Sequence, residues 1–168
     1  APGTRVQVED LFFNLPARRK FLRAAAAETR RVAQLVQELA LIHPGRTFSL
    51  ASEGRRLFQS CAPGSTEAAL RDHWGTEVQH LEARQGDLSA RLWWSGPREG
   101  RTQLVLFVNG RRVLDGALRG ALQAGAGTCG GDWLVHLLLP PEDLDVNVHP
   151  AKTEVRFRRP GEVFDLVR

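Results

Sequence analysis

Lys152 stands in "DVNVHPAKTEVRF", Asp145 to Phe157, where two alternating apolar runs are separated by a proline. Val146 and Val148 belong to the first run, Val155 and Phe157 to the second, and His149, Pro150 and Ala151 lie between them. Pro150 brings no N–H to a sheet ladder and pushes His149 toward extended backbone, so the chain must turn or bulge here. A lysine held on such a stiff loop offers a compact, strongly hydrated ammonium suited to a phosphate. Judged by spacing alone, a solvated lysine at a strand end is the commoner case. Asn147, His149 and Pro150 read as residues that shape the loop, and nothing makes His149 a base.

Three basic clusters could also meet phosphates. Arg18, Arg19, Lys20 and Arg23 form one, Arg111 and Arg112 with Arg119 a second, and Arg156, Arg158 and Arg159 a third. Each alone is ordinarily a solvated face. Trp74, Trp93, Trp94 and Trp133 could serve as stacking platforms for single strands. Trp93 and Trp94 are neighbours on an expected strand, however, so they face opposite sides and at least one belongs to the core. Cys61 and Cys129 lack CxxC spacing, which argues against a metal site or a disulfide framework.

These residues need elements to position them. "TRVQVEDLF" alternates Val6 and Val8 with Arg5, Gln7 and Glu9, which predicts an opening strand. Asn14 as a cap and Pro16 early in a helix predict a short basic turn ending at Leu22. Val32, Leu35, Val36, Leu39 and Ile42 recur at helical steps from about 26 to 42, with Arg31, Gln34 and Glu38 elsewhere on the wheel. "RTFSLASEGRRLFQS" predicts two strands around Glu53 and Gly54. "CAPGST" marks a domain boundary, after which Ser65 or Thr66 caps a short helix reaching Trp74. Strands follow over 77–83 and 88–94, then "QLVLFV", with Asn109 and Gly110 as a type I′ hairpin signal. A helix over 117–124, the strand "DWLVHLLL" and a last helix over 162–168 complete the pattern.

The 168 residues suit one ordinary domain or two small ones and can bury a core without staples. Apolar residues make up 42% and charged residues 25%, which excludes a disordered chain. The longest apolar runs, Leu104 to Val108 and Trp133 to Leu139, are too short to span a bilayer. "APGTRVQVED" lacks the basic and apolar regions of a signal peptide, so a cytoplasmic location is expected, nucleoid-associated if the source is bacterial. A formal charge of +4 and a pI near 10.0 permit contact with nucleic acid without demanding it. Lys20 and Lys152 are the only lysines among 23 basic residues, so each is a place where an ammonium can matter.

"GTRVQVEDLFFNLPARRKFL", "FVNGRR" and "LDVNVHPAKTEVRF" resemble, in this order, three signature stretches of the MutL family of DNA mismatch-repair proteins. The resemblance covers essentially the whole chain. It implies an α+β fold: residues 1–62 as the C-terminal portion of an ATPase α/β sandwich of the gyrase, Hsp90, histidine kinase and MutL (GHKL) type, with its last strands and helix. Residues 63–168 would then form a transducer domain similar to the second domain of ribosomal protein S5. The helix bearing the family's catalytic glutamate and magnesium-binding asparagine, the "DNGxG" segment and the glycine-rich ATP lid have no match here. The chain alone is therefore expected neither to bind ATP tightly nor to hydrolyse it, and one face of its first sheet is expected to lack neighbours.

For the complete protein the resemblance implies ATP and Mg²⁺ as cofactors. Gly3 and Thr4 match a "GT" whose threonine lies by the adenine pocket. Lys152 matches a lysine that the transducer projects into the ATPase site, there to stabilise the terminal phosphate during transfer. Arg111, Arg112 and Arg119 would contribute to a groove that binds DNA with little sequence preference. Asp115 is followed by Gly116 where relatives often carry a further basic residue, which puts that contact in doubt. Implied partners are DNA, mismatch-recognition and other repair proteins, and a second copy in a homodimer. Two further readings stand beside this one: an ATP-independent nucleic-acid-binding module with an S5-like fold, and a purely structural fragment.

Overall fold

The computed structural model describes residues 3–98, 102–127, 130–146 and 154–168. Five helices and nine strands follow in the order α1 (Pro16–Arg19), α2 (Ala25–Ile42), β1 (Ser49–Ser52), β2 (Arg55–Gln59), α3 (Thr66–Trp74), β3 (Gln79–Gln85), β4 (Leu88–Trp94), β5 (Leu104–Val108), β6 (Arg111–Val113), α4 (Gly116–Ala126), β7 (Trp133–Leu138), β8 (Leu144–Asp145), β9 (Arg156–Phe157) and α5 (Pro160–Val167). The main sheet has the order β3-β4-β7-β5-β6, with β5 and β7 parallel and every other neighbouring pair antiparallel. β1 and β2 form a separate hairpin, and β8 and β9 a short antiparallel pair.

Strand β5 is buried at every position, which explains why its sequence is apolar throughout rather than alternating. Leu104, Leu106 and Val108 face one core with Val135, Leu137, Leu118 and Leu122, which α4 and α5 cover. Val105 and Phe107 face the other, with Leu134 and Trp93, against Leu41 of α2 and Leu70 of α3. Helix α3 is capped by Ser65, whose hydroxyl accepts from Ala68 N–H at 3.1 Å. It is also tied to the sheet, since Trp93 Nε1 donates to Glu67 at 2.7 Å. Trp93 is thus a core residue, and Trp94 lies on the opposite face, stacked on Trp133 with ring centroids 5.3 Å apart.

Both expected hairpin turns form. Glu53 and Gly54 have φ of 50° and 72°, and Asn109 and Gly110 have 49° and 77°, the paired positive angles of a type I′ connection. Asp115 caps α4 by accepting from Leu118 N–H at 2.8 Å, giving a structural use to the residue that precedes Gly116.

Two local expectations are corrected. Residues 3–9 form no strand, and Val6 and Val8 are 83% and 72% exposed. A period-two pattern becomes a strand only when a neighbour supplies ladder partners, and no described strand pairs with this segment. The cap of α1 is Leu15 rather than Asn14, with no side-chain bond, although Pro16 takes the first helical position as expected.

Helix α2 forms as expected, and Leu39 and Ile42 of its expected face pack against the core, but the cover is partial. Glu38, Ala40 and Leu41 are buried while Val32 and Leu35 are exposed, so only its C-terminal half rests on the sheet. Apart from Leu81 and Leu114, every exposed large apolar side chain among the described residues precedes residue 62. That concentration marks one contiguous stretch of sequence whose apolar surface has no cover within the described residues.

Candidate nucleic-acid interface and the lysine-bearing loop

Lys152, with Asn147, His149 and Pro150, falls outside the described residues. The frame that carries this loop is described on both sides. Leu144 pairs with Phe157 and Asp145 with Arg156, and Arg158 N–H donates to the Asp143 carbonyl at 2.9 Å. Val155 and Phe157 anchor one end in the core, and Arg159 pairs with Asp143 across the base at 2.5 Å. The side-chain hydrogen bond to Asp143 above all, with the charges of Asp143 and Glu162, holds the Arg159 guanidinium more firmly protonated than usual, against an opposing effect of desolvation. The two ends of the 146–155 segment are therefore fixed next to each other.

Gly3 and Thr4 lie on the exposed, unpaired opening segment. Arg111 starts β6 opposite Val108 and is exposed. Arg119 is exposed on α4 and lines a cavity that also includes Leu104, at the other end of β5. Arg111 thus stands at the hairpin turn and Arg119 on the helix beside the cavity. Neither pairs with a carboxylate among the described residues.

Arg112 differs from both. Its Nε lies 2.5 Å from Glu38 Oε2, its Nη1 donates to the Val113 carbonyl, and Gln34 Nε2 donates to the other Glu38 oxygen at 2.9 Å. The Arg112 and Glu38 side chains are only 16% and 7% exposed. This guanidinium joins β6 to α2. Glu38 is a residue whose part the sequence pattern did not disclose, because helical periodicity puts it on the polar side of α2.

Two more residues gain roles from the fold. Asn109 donates through Nδ2 to the Leu139 carbonyl at 2.9 Å and accepts from Leu139 N–H through Oδ1 at 3.0 Å, while its own N–H donates to Leu137 at 2.9 Å. His136 Nε2 accepts from Gly110 N–H at 3.1 Å, so the neutral ring props the same turn. Burial pushes the His136 pKa below the ordinary 6.5, and the charges of Arg91 and His43 push the same way. In the unfolded chain this histidine takes up its proton at about 6.5, whereas the folded state resists until lower pH. Stability from this group is therefore complete above that value and falls as pH drops below it. Urea unfolding at pH 7.5 and 5.5 should show a larger loss for the parent than for His136→Gln. Equal losses would remove His136 from the cause.

Among the described residues no group of three His, Cys, Asp or Glu side chains is placed to hold a metal ion. Gly3 and Thr4 are not among the residues that line the four cavities described. No helix among them is long and apolar enough to cross a membrane.

Residues 67–168 match the family model described as "DNA mismatch repair protein, C-terminal domain". The MutL of Anaeromyxobacter dehalogenans is 41% identical over 98% of the chain, and that of Desulforudis audaxviator 37% identical over 99%. The chain belongs to the MutL family of DNA mismatch-repair proteins. It spans 29% and 32% of the length of those two MutL relatives. The solved ATPase domain of the Aquifex aeolicus MutL endonuclease superposes over 94% of this chain and 59% of its own, with a TM-score of 0.63 and 29% identity. The same ATPase domain complexed with ADP superposes over 80% and 52%, at 0.58 and 31%. The B subunit of Myxococcus xanthus DNA gyrase shares the fold alone, at 0.54 and 19% identity over 83% and 52%. The α+β architecture is thus that of a GHKL-type ATPase region.

Proposed function

We propose that this MutL-family chain is the part of a mismatch-repair protein that couples ATP binding and hydrolysis to dimerisation and DNA binding. Residues 1–62 would be the C-terminal portion of the ATPase module and 63–168 an S5-like transducer. The observation that supports this reading is the pairing of β8 with β9, which fixes both ends of the segment that includes Lys152. Its ammonium would then meet the terminal phosphate held by the ATPase module, with Gly3 and Thr4 on the adenine side. ATP and Mg²⁺ would bind only in the complete protein, with residues of the module that have no counterpart here.

The apolar side chains left uncovered before residue 62 support the same reading, since they would be covered by the rest of that module. DNA would be held without sequence preference by Arg111 and Arg119, whose guanidinium groups are free to neutralise phosphates. Arg112, engaged with Glu38, would contribute by fixing the hairpin that presents Arg111. The complete protein would work as a cytoplasmic homodimer alongside mismatch-recognition proteins.

In the complete protein Lys152→Ala is expected to lower ATP turnover about tenfold or more, the loss of one phosphate-facing charge, with DNA retention little changed. Steady-state hydrolysis and filter retention of labelled duplex measure the two. Equal hydrolysis by variant and parent would defeat the assignment, and hydrolysis absent from the parent as well would favour a nucleic-acid-binding module independent of ATP.

A further inference from the structure

Beside the helix that carries Arg119 lies a cavity of about 250 Å³, lined among others by Thr102, Arg119, Gln123, Gly130 and Trp133. We propose that it takes one unpaired nucleobase of a bound DNA, a role that rests on the DNA reading above and sharpens it.

The chemistry of the lining is mixed rather than apolar. Trp133 supplies an indole ring already backed by Trp94, with centroids 5.3 Å apart and planes 21° from parallel. Trp94 is itself fixed, because its Nε1 donates to the Gly130 carbonyl at 2.9 Å. Only glycine fits beside this ring: Gly131 has φ of 116°, and a Cβ there would meet the Gly96 carbonyl at 2.2 Å. The indole is therefore a preorganised platform, and stacking on such a ring suits any base because every base has a π-face.

The polar groups around it are uncommitted. The side chains of Thr102, Arg119 and Gln123 are exposed and make no hydrogen bond or ion pair among the described residues. The Gln123 amide can donate and accept along a base edge, the Thr102 hydroxyl can do either, and the Arg119 guanidinium can meet the phosphate of the same nucleotide. The space suits one heterocycle, not a base pair, so the ligand must come from DNA in which a base has left the stack. Extrusion is cheapest where a base is mismatched or unpaired.

The test compares a short duplex carrying one unpaired 2-aminopurine with the same duplex fully paired, both with the 168-residue chain. The parent should bind the first about tenfold more tightly, as the stacking of one base allows, and quench its fluorescence. Gln123→Leu, at an exposed position where folding is indifferent to the change, and Trp133→Leu, checked for fold by circular dichroism, should lose both the preference and the quenching. Arg119→Ala should weaken binding to both duplexes alike. Equal affinity of the parent for the two duplexes, or unchanged preference in both cavity variants, overturns the base pocket while leaving the phosphate contacts in place. Binding to neither duplex at low salt overturns the DNA reading together with it.

Discussion

Arg112→Ala is expected to destabilise the chain by about 3–5 kcal/mol, the cost of removing one partner from a buried ion pair. The loss comes mainly from what remains behind. The Glu38 side chain is 7% exposed, and without Arg112 its carboxylate keeps only the Gln34 amide as a partner among the described residues. Water cannot easily replace the guanidinium at a position enclosed by α2 and β6. Glu38→Gln should cost less, because Arg112 is more accessible and still holds the Val113 carbonyl. The double change Glu38→Leu with Arg112→Met should recover most of the loss, since paired charges replaced by packed apolar groups are often neutral in stability. Urea unfolding of the four proteins measures this. An Arg112→Ala variant within about 1 kcal/mol of the parent, the range of an exposed pair, would show that Glu38 is solvated in practice.

The same pair shows where a sequence stops being informative. Helical periodicity correctly marks α2, but it ranks faces by hydropathy and therefore puts Glu38 outward and Val32 and Leu35 inward. The fold does the reverse, because burial is decided by what lies alongside: the sheet meets only the C-terminal half of the helix, and β6 brings a guanidinium to Glu38. A contact joining residues 74 positions apart has no local signature. Features that depend only on neighbouring residues fare better. The turn at Asn109 and Gly110, the Ser65 cap and the burial of β5 follow from backbone angles, a hydroxyl within reach of N–H groups, and an unbroken apolar run.

The opening strand fails for the complementary reason. Val6 and Val8 have the right spacing, yet pairing requires a second strand, and none among the described residues lies beside them. The basic residues divide similarly. Arg111, Arg112 and Arg119 look alike in sequence, but the fold commits one to an ion pair, leaves one at a hairpin tip and sets the third beside an aromatic cavity. Charge is legible from composition, whereas the partner that a charge serves is a property of the tertiary arrangement.

Asn109→Ala is expected to cost about 3–4 kcal/mol, more than a turn residue normally commands, because two effects add. At φ of 49° an alanine pays the steric cost of the left-handed region, about 1 kcal/mol or a little more. The larger part is the loss of the amide that closes both backbone groups of Leu139, a residue only 7% exposed. Each buried backbone group left without a partner costs about 1–3 kcal/mol. Leu139 directly follows β7 and leads through Pro140 toward β8, so the clamp also sets the course of the chain toward the loop that carries Lys152. Asn109→Gly separates the two effects: it keeps the backbone angle and removes the amide, so it should retain most of the loss. If the glycine variant unfolds at the same urea concentration as the parent, the amide bridge is idle and the asparagine serves the turn alone. If instead both variants lose stability and ATP turnover of the complete protein falls with them, the hairpin and the segment proposed to present Lys152 act as one mechanical unit through Leu139.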